Sequence, residues 1–259
     1  MPWVTINGAH VLIDEAGNPV SGAGGALGSS AKTSETGRTP TSQLNRPGTS
    51  NIGKAKTLDE AVRHAKELGI GRVDLSPPEK DLFGEPLPET EALKNLNIVN
   101  AKLADLLDRY PDMPVKISRL VISDTIDGAA TQRGSSRSLM VGVPTTPTAA
   151  QIGDIQKKDE WEGFTWNAAR FDHWVEDSFT HELAHNLATS RTADDWYREM
   201  VRGGYGKDWV TKNISRYGSM NDREAISEAF SIYTRPDYKK GKLPSGVESV
   251  LESLLKGKK

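Results

Sequence analysis

Apolar residues recur at helical spacing along much of the chain. One stripe joins residues that lie one, three and four positions apart: Phe171, Trp174, Val175, Phe179, Leu183 and Leu187. Because side chains at these intervals share one face of an α-helix, the stripe predicts a helix over about residues 172–188. A helix with so many apolar positions is expected to lie in a protein core rather than on its surface.

Other signals predict helices before and after this stripe. Residues 57–60 form a capping box, which predicts a helix that ends near Leu68, before Gly69. An apolar stripe predicts a longer helix from about Glu89, which Pro111 ends. Further helices are expected around residues 196–201, 221–233 and 247–255.

Two stretches of alternating and β-branched residues predict strands. They cover residues 115–123 and residues 138–144, and Pro144 ends the second. The Gly- and Ser-rich stretch 127–136 between them is predicted to be a turn or loop. Helices thus outnumber strands, and the chain is predicted to be an α+β protein, mostly helical with a small sheet.

The first 56 residues differ in pattern from the rest. Trp3–Ile6 and residues 10–13 alternate around Asn7-Gly8, a dipeptide that favours a hairpin turn. Residues 21–56 are rich in Gly, Ser, Thr and Pro and have almost no bulky apolar side chains, which predicts a flexible linker. We therefore expect a hairpin module over residues 1–20, a linker over 21–56 and a folded domain over 57–259. The hairpin is expected either to attach the chain to a partner or to pack on the domain.

Composition and charge exclude several classes of function. The 259 residues carry a net charge of −2 and the pI is about 6.2, which argues against a general nucleic-acid binder. No stretch approaches the ~18 consecutive apolar residues of a membrane helix. The first residues lack the basic and apolar regions of a signal peptide, and the absence of cysteine excludes a disulfide framework. We therefore expect neither a nucleic acid nor a membrane among the partners.

The candidate chemistry lies in the helix predicted over residues 172–188. Residues 180–185 contain H-E-x-x-H, the signature of a zinc peptidase helix. His181 and His185 lie one turn apart on the same face, so both imidazoles can bind one ion. Glu182 lies where its carboxylate can act as general base toward a water on that ion. The alternative, a surface helix with two solvated histidines, fits the apolar stripe poorly.

Two histidines do not complete a catalytic zinc site, which usually takes three protein ligands. His10 and His64 lie far upstream, and His173 is about 12 Å from His181 by helix rise. The sequence has no further histidine in the spacing of metzincins and no cysteine, so the third ligand is expected to be a downstream Asp or Glu. Glu224 is a candidate, although the helix dipole alone also favours a glutamate in the first turn of a helix.

A second motif lies at residues 215–230, which read Ser-Arg-Tyr-Gly-Ser-Met-Asn-Asp-Arg-Glu-Ala-Ile-Ser-Glu-Ala-Phe. Together with H-E-L-A-H, this segment resembles the metallopeptidase domain of the anthrax lethal factor type, a gluzincin family with a zincin-like fold. The second motif of that family has a Tyr-Gly pair, a short turn and then E-x-x-x-E-A-F on a helix. Here Glu224 follows Tyr217 by seven residues, and Glu228, Ala229 and Phe230 complete the motif.

The resemblance implies a ligand set and two supporting roles. Zn²⁺ would be bound by His181, His185 and Glu224, with Glu182 as the general base. Tyr217 would hydrogen-bond the oxyanion or the leaving group, although a packed aromatic beside a glycine turn also explains a tyrosine there. Glu228 would orient a ligand histidine, as outer carboxylates commonly do in metal sites.

The resemblance also implies a site for the substrate backbone. In zincins, an edge strand before the active-site helix pairs with the extended substrate. The expected strand is the one predicted between residues 138 and 144, and its candidate residues are Leu139, Met140, Val141, Gly142 and Val143.

These observations together imply zinc-dependent hydrolysis of peptide bonds in a protein substrate. The string W-V-T-I-N-G-x-H-V-L-I at the N-terminus resembles terminal segments of tailed-phage virion proteins, so a phage-associated or toxin-like protease is expected, carried on a particle or delivered to a host cytoplasm. Two alternatives remain: a zinc hydrolase of another substrate class, and a virion structural protein with a non-catalytic zincin-like body. The second is disfavoured because His181, Glu182, His185 and Glu224 are all present.

Overall fold

The protein is mostly helical with a small mixed sheet, in agreement with the predicted α+β class. The computed structural model describes residues 3–6, 9–12, 51–75, 85–115, 117–124, 131–133, 139–143 and 173–256. The strands are β1 (Trp3–Ile6), β2 (Ala9–Leu12), β3 (Arg72–Asp74), β4 (Glu85–Pro86), β5 (Arg119–Asp124), β6 (Thr131–Arg133) and β7 (Leu139–Val143). The helices are α1 (Leu58–Glu67), α2 (Glu89–Arg109), α3 (Trp174–Leu187), α4 (Ser190–Gly203), α5 (Lys207–Asn213), α6 (Asp222–Tyr233) and α7 (Ser245–Leu255), with a short 3₁₀ helix at Gly218–Met220.

The sheet has its strands in the order β3-β5-β7-β6, and β4 also pairs with β5. The pairs β3–β5 and β5–β7 are parallel, whereas β6 runs antiparallel to β7. Gly71 precedes β3, and its backbone N–H donates to the carbonyl of Ile117. A Cβ at Gly71 would lie 2.8 Å from the carbonyl oxygen of Ser118, so only glycine allows the two segments to approach this closely.

Two sequence predictions about the sheet were wrong. The strand expected over residues 115–123 begins only at Arg119, because residues 113 and 115 are held in turns that start at Tyr110 and Met113. The loop expected over residues 127–136 contains β6, whose Thr-Gln-Arg sequence has no apolar alternation. β6 is a strand because its backbone pairs with that of β7, and such pairing leaves no pattern in the order of apolar and polar residues.

Helix α3 is the central element of the body. It contacts β6, β7, α2, α6 and α7, and its apolar residues Phe179, Leu183 and Ala184 have no exposed surface. The helix begins at Trp174 and ends at Leu187, close to the predicted bounds. Its burial is the physical basis of the apolar stripe in the sequence.

The N-terminal strands form the predicted antiparallel pair, with Trp3 opposite Leu12 and Ile6 opposite Ala9. Residues 13–50, which hold most of the predicted linker, lie outside the described residues. Residues 51–56 were also assigned to the linker, but Ala55 is buried there. Its backbone N–H donates to Asn97 Oδ1 at 3.0 Å, and Asn97 Nδ2 donates back to its carbonyl at 2.9 Å. These contacts tie residues 51–56 to α2.

The predicted capping box at the start of α1 has a shifted form. Thr57 Oγ1 accepts from the backbone N–H of Glu60 at 3.3 Å, as expected of an N-cap. The Glu60 carboxylate, however, accepts from the backbone N–H of Lys56 at 2.8 Å rather than from that of Thr57. In the part of the chain that the structure describes, no helix is both long and apolar enough to cross a lipid bilayer.

Candidate metal centre

Helix α3 brings both histidines of the H-E-x-x-H motif into the protein interior. The side chains of His181 and His185 are on one face of the helix, and the two residues are 7% and 8% exposed. Their rings meet edge to face with centroids 4.8 Å apart. Two imidazoles that share a buried face in this way are not the solvated surface histidines of the alternative interpretation.

Helix α6 brings Glu224 to the same point. Asn221 caps this helix, and its Oδ1 accepts from the backbone N–H of Glu224 at 3.1 Å. The cap starts the helix so that Glu224, Ser227, Glu228 and Ser231, at spacings of three and four, face α3. The side chain of Glu224 keeps 18% of its surface exposed, so the cluster opens to solvent on one side.

The three candidate ligand atoms are in mutual contact. His181 Nε2 lies 3.0 Å from Glu224 Oε2, His185 Nε2 lies 3.1 Å from His181 Nε2, and His185 Nε2 lies 3.3 Å from Glu224 Oε2. Three atoms bound tetrahedrally to zinc at about 2.0–2.2 Å lie roughly 3.3–3.6 Å from one another. The observed separations are only slightly shorter, so these residues could hold a metal ion of that size.

Both histidines also make a hydrogen bond to α6 through Nδ1. His181 Nδ1 lies 2.7 Å from Glu228 Oε1, which is the contact expected of an orienting carboxylate. His185 Nδ1 lies 3.0 Å from Ser227 Oγ. Ser227 was not identified from the sequence, although its position three residues after Glu224 places it on the same helical face.

The charge distribution in the cluster follows from these contacts. Burial lowers the pKa of His181, but hydrogen bonds to Glu224 and Glu228 outweigh burial and raise that pKa to about 10. Burial lowers the pKa of His185. Burial raises the pKa of Glu224, but its hydrogen bonds with the two histidines outweigh burial and hold the pKa well below its usual range. A cation is therefore favoured at this point, whether it is a proton or a metal ion.

Glu182 and Tyr217 lie beside the candidate ligands. Glu182 is 5% exposed, and burial together with the charge of Glu224 raises its pKa to about 8. The Tyr217 ring is tilted against the ring of His181, with centroids 5.9 Å apart. Burial and the nearby carboxylates of Glu224 and Glu182 raise the pKa of Tyr217, so its hydroxyl keeps its proton.

The turn that carries Tyr217 packs tightly on α6. The backbone N–H of Gly218 donates to Ser215 Oγ at 2.8 Å. A Cβ at Gly218 would lie 3.3 Å from the Cα of Ala225, which is tighter than an ordinary contact. The glycine of the Tyr-Gly pair thus lets the turn lie against the helix that carries Glu224.

The strand expected to bind substrate is not at the edge of the sheet. β7, which comprises Leu139, Met140, Val141, Gly142 and Val143, pairs with β5 over residues 140–143 and with β6 over residues 139–141. Met140 and Val141 are therefore paired on both sides, and β7 lies between β5 and β6 in the sheet. Among the described strands, β6 lies outside β7, and both contact α3.

His173, which the sequence excluded as a ligand, is the residue before α3, and its Nδ1 lies 3.1 Å from Glu176 Oε2.

Comparison of the whole chain with family models, curated proteins and solved structures found no match to any of them. The resemblance to the lethal factor type therefore depends on the residues of the two motifs.

Proposed function

We propose that the chain is a zinc-dependent peptidase of the gluzincin type, with a zincin-like fold. The observation that carries the proposal is the convergence of His181, His185 and Glu224 from two helices, with Glu182 buried beside them. Two imidazole nitrogens and one carboxylate oxygen form one of the donor sets of catalytic zinc sites. The Nδ1 contact of His181 with Glu228 adds the outer carboxylate that such sites commonly contain.

The residues of the site have complementary roles in peptide hydrolysis. A zinc ion held by the cluster would lower the pKa of a bound water to about 7 and polarise the scissile carbonyl. Glu182 accepts the proton of the attacking water and later donates it to the leaving amine. Burial raises the pKa of Glu182 to about 8, and the positive charge of a bound zinc ion would lower it, so that the carboxylate is ionised when it accepts the proton. Tyr217 donates a hydrogen bond to the developing oxyanion.

We propose that an extended substrate pairs with β6 rather than with β7. β6 is the outer strand on this side of the sheet among those described, and it contacts the helix that carries His181 and His185. An outer strand has backbone donors and acceptors on its second side, and these can bind a peptide in extended form. This proposal replaces β7, the strand expected from the sequence, with its outer neighbour and keeps the same mode of binding.

The N-terminal strand pair supports a further part of the proposal. We propose that residues 1–20 attach the enzyme to a partner such as a phage particle, which would make the enzyme virion-associated or carried into a host cell. The support is the antiparallel pair Trp3–Ile6 with Ala9–Leu12 and its resemblance to virion protein termini.

The proposed function can be tested before any substrate is identified. The purified protein is expected to contain about one zinc per chain, since the described residues include one group of three that could hold a metal ion. A host proteome incubated with the protein is expected to gain new N-termini, and a chelator is expected to abolish them. A chain with no bound metal, or cleavage that the chelator leaves unchanged, would contradict the proposal. Full zinc content without any cleavage would favour the non-catalytic alternative.

A further inference from the structure

The two ligand histidines differ in what holds their outer ring nitrogens. His181 Nδ1 faces a carboxylate, that of Glu228, whereas His185 Nδ1 faces the neutral hydroxyl of Ser227 at 3.0 Å. Both partners are consecutive residues of α6 and both are buried, with Ser227 0% and Glu228 1% exposed. The similarity to the lethal factor type pointed to Glu228 but gave no role to Ser227.

We infer that Ser227 is a positioning residue of the metal centre, which holds His185 in the orientation and tautomer that a metal ion requires. This inference rests on the proposed function. A neutral imidazole carries one proton, so a ring that binds an ion through Nε2 must carry its proton on Nδ1. His185 Nε2 points at Glu224 and His181, and His185 Nδ1 lies 3.0 Å from Ser227 Oγ. When Nε2 binds the ion, the proton is on Nδ1, and the Ser227 hydroxyl accepts it in a hydrogen bond. The hydroxyl thereby keeps the lone pair of Nε2 directed at the cluster.

A neutral partner suits this histidine because the site already contains three carboxylates. Glu228 Oε1 and Glu224 Oε2 lie 2.7 and 3.0 Å from the two ring nitrogens of His181, and Glu182 is buried beside them. A fourth carboxylate beside His185 would repel these three in a buried setting. The serine hydroxyl accepts the Nδ1–H without adding charge.

A second serine on the same helix provides a matched control. Ser231 is also 0% exposed and also bonds to α3, because its Oγ lies 3.2 Å from Thr180 Oγ1 and 3.3 Å from the carbonyl of Asp177. It makes none of these bonds to a candidate ligand. Ser227→Ala and Ser231→Ala therefore each remove a buried hydroxyl from the interface between α3 and α6. Only Ser227→Ala removes the hydrogen-bond partner of a candidate ligand, His185.

The experiment measures Zn²⁺ affinity of the full chain by competition with a chromophoric chelator. We expect Ser227→Ala to weaken affinity by about 10–100-fold, the typical effect of losing an outer-shell partner, and Ser231→Ala to leave affinity at the wild-type value. In the zinc-loaded protein, ¹⁵N spectra of His185 should show Nε2 bound to the metal and a proton on Nδ1, and this proton should exchange with water more slowly in wild type than in Ser227→Ala. Thermal melting of both variants checks that they fold.

Each outcome has a distinct meaning. Equal affinity of wild type and Ser227→Ala, or equal loss in both serine variants, would overturn the positioning role while leaving the metal centre in place. If Ser227→Ala does not fold, the zinc-loaded wild type still decides, because metal bound through Nδ1, or an Nδ1 proton that exchanges as fast as that of a solvent-exposed imidazole, would overturn the inference. A wild-type chain that takes up no zinc would overturn the proposed metal centre itself.

Discussion

Each donor of the cluster is needed because a zinc site with two protein ligands is incomplete. We expect His181→Ala, His185→Ala and Glu224→Ala each to lower the zinc content of the purified protein well below one equivalent. Elemental analysis after dialysis measures this. Glu228→Ala is the control, because it removes a partner of His181 and should weaken binding while most of the metal stays bound in excess zinc. Full zinc in Glu224→Ala would remove Glu224 from the site.

Glu182 is expected to act in the reaction and not in metal binding. Glu182→Gln should keep its zinc and its melting temperature but lose peptide hydrolysis, because an amide cannot accept the proton of the attacking water. Tyr217→Phe should lose less, on the order of 10²–10³ in turnover, as is typical for one oxyanion donor. Steady-state cleavage of a peptide found in the proteome experiment measures both. Wild-type cleavage by Glu182→Gln would show that another group is the base.

At the scale of elements, a buried ion pair fastens α3 to the end of α6. The Asp177 carboxylate pairs with the Arg235 guanidinium, and the two side chains are 1% and 4% exposed. We expect Asp177→Asn to lower the free energy of unfolding by about 3–5 kcal/mol, because it removes the charge of the carboxylate that pairs with a buried guanidinium. Urea unfolding measures the loss.

Two comparisons test whether the missing counter-charge is the cause. A double variant, Asp177→Leu with Arg235→Met, removes both charges and should recover much of the loss. Asp195→Asn removes a more exposed partner of Arg198 on α4 and should cost at most about 1 kcal/mol. A small effect of Asp177→Asn, equal to that of Asp195→Asn, would show that the buried pair contributes little.

The elements that the sequence predicted best have strong local signals. α3 has a stripe of large apolar residues, and α6 has Asn221 as a cap before Ala225, Ile226 and Phe230. α5 was not predicted because its seven residues bury only Val210. β6 was missed because its position depends on pairing with β7, a contact between segments that the side-chain pattern does not encode.

The candidate site was predictable as far as its residues belong to motifs. The sequence indicated the proximity of His181, His185, Glu224 and Glu228, and the structure brings these four together. Ser227 belongs to no motif, and its contact with His185 depends on how α6 is rotated against α3. The order of strands in the sheet is likewise a property of the whole fold, so the sequence could not show that β7 lies between β5 and β6.

At the scale of the whole molecule, we expect the N-terminal region to be separable from the body at residue 50. Deleting residues 1–50 should leave zinc content and melting temperature unchanged and abolish association with a particle. Deleting residues 1–56 should lower the stability of the body by about 1–3 kcal/mol, because it removes the two Ala55–Asn97 hydrogen bonds. Differential scanning calorimetry distinguishes the two deletions. Loss of the fold or of zinc in the shorter deletion would show that the N-terminal residues belong to the body.

The ligands of the cluster come from distant parts of the chain, since His181 and Glu224 are 43 residues apart in sequence. An ion that joins them closes the intervening segment into a loop, as a covalent cross-link does. Because the unfolded chain does not hold the three donors together, the zinc ion that we propose would bind the folded form and stabilise it by about 4 kcal/mol at a free concentration 1,000 times Kd. The resistance of the protein to proteolysis would therefore rise with the concentration of free zinc. In a compartment with little zinc, the proposed enzyme would be inactive and would also be degraded faster.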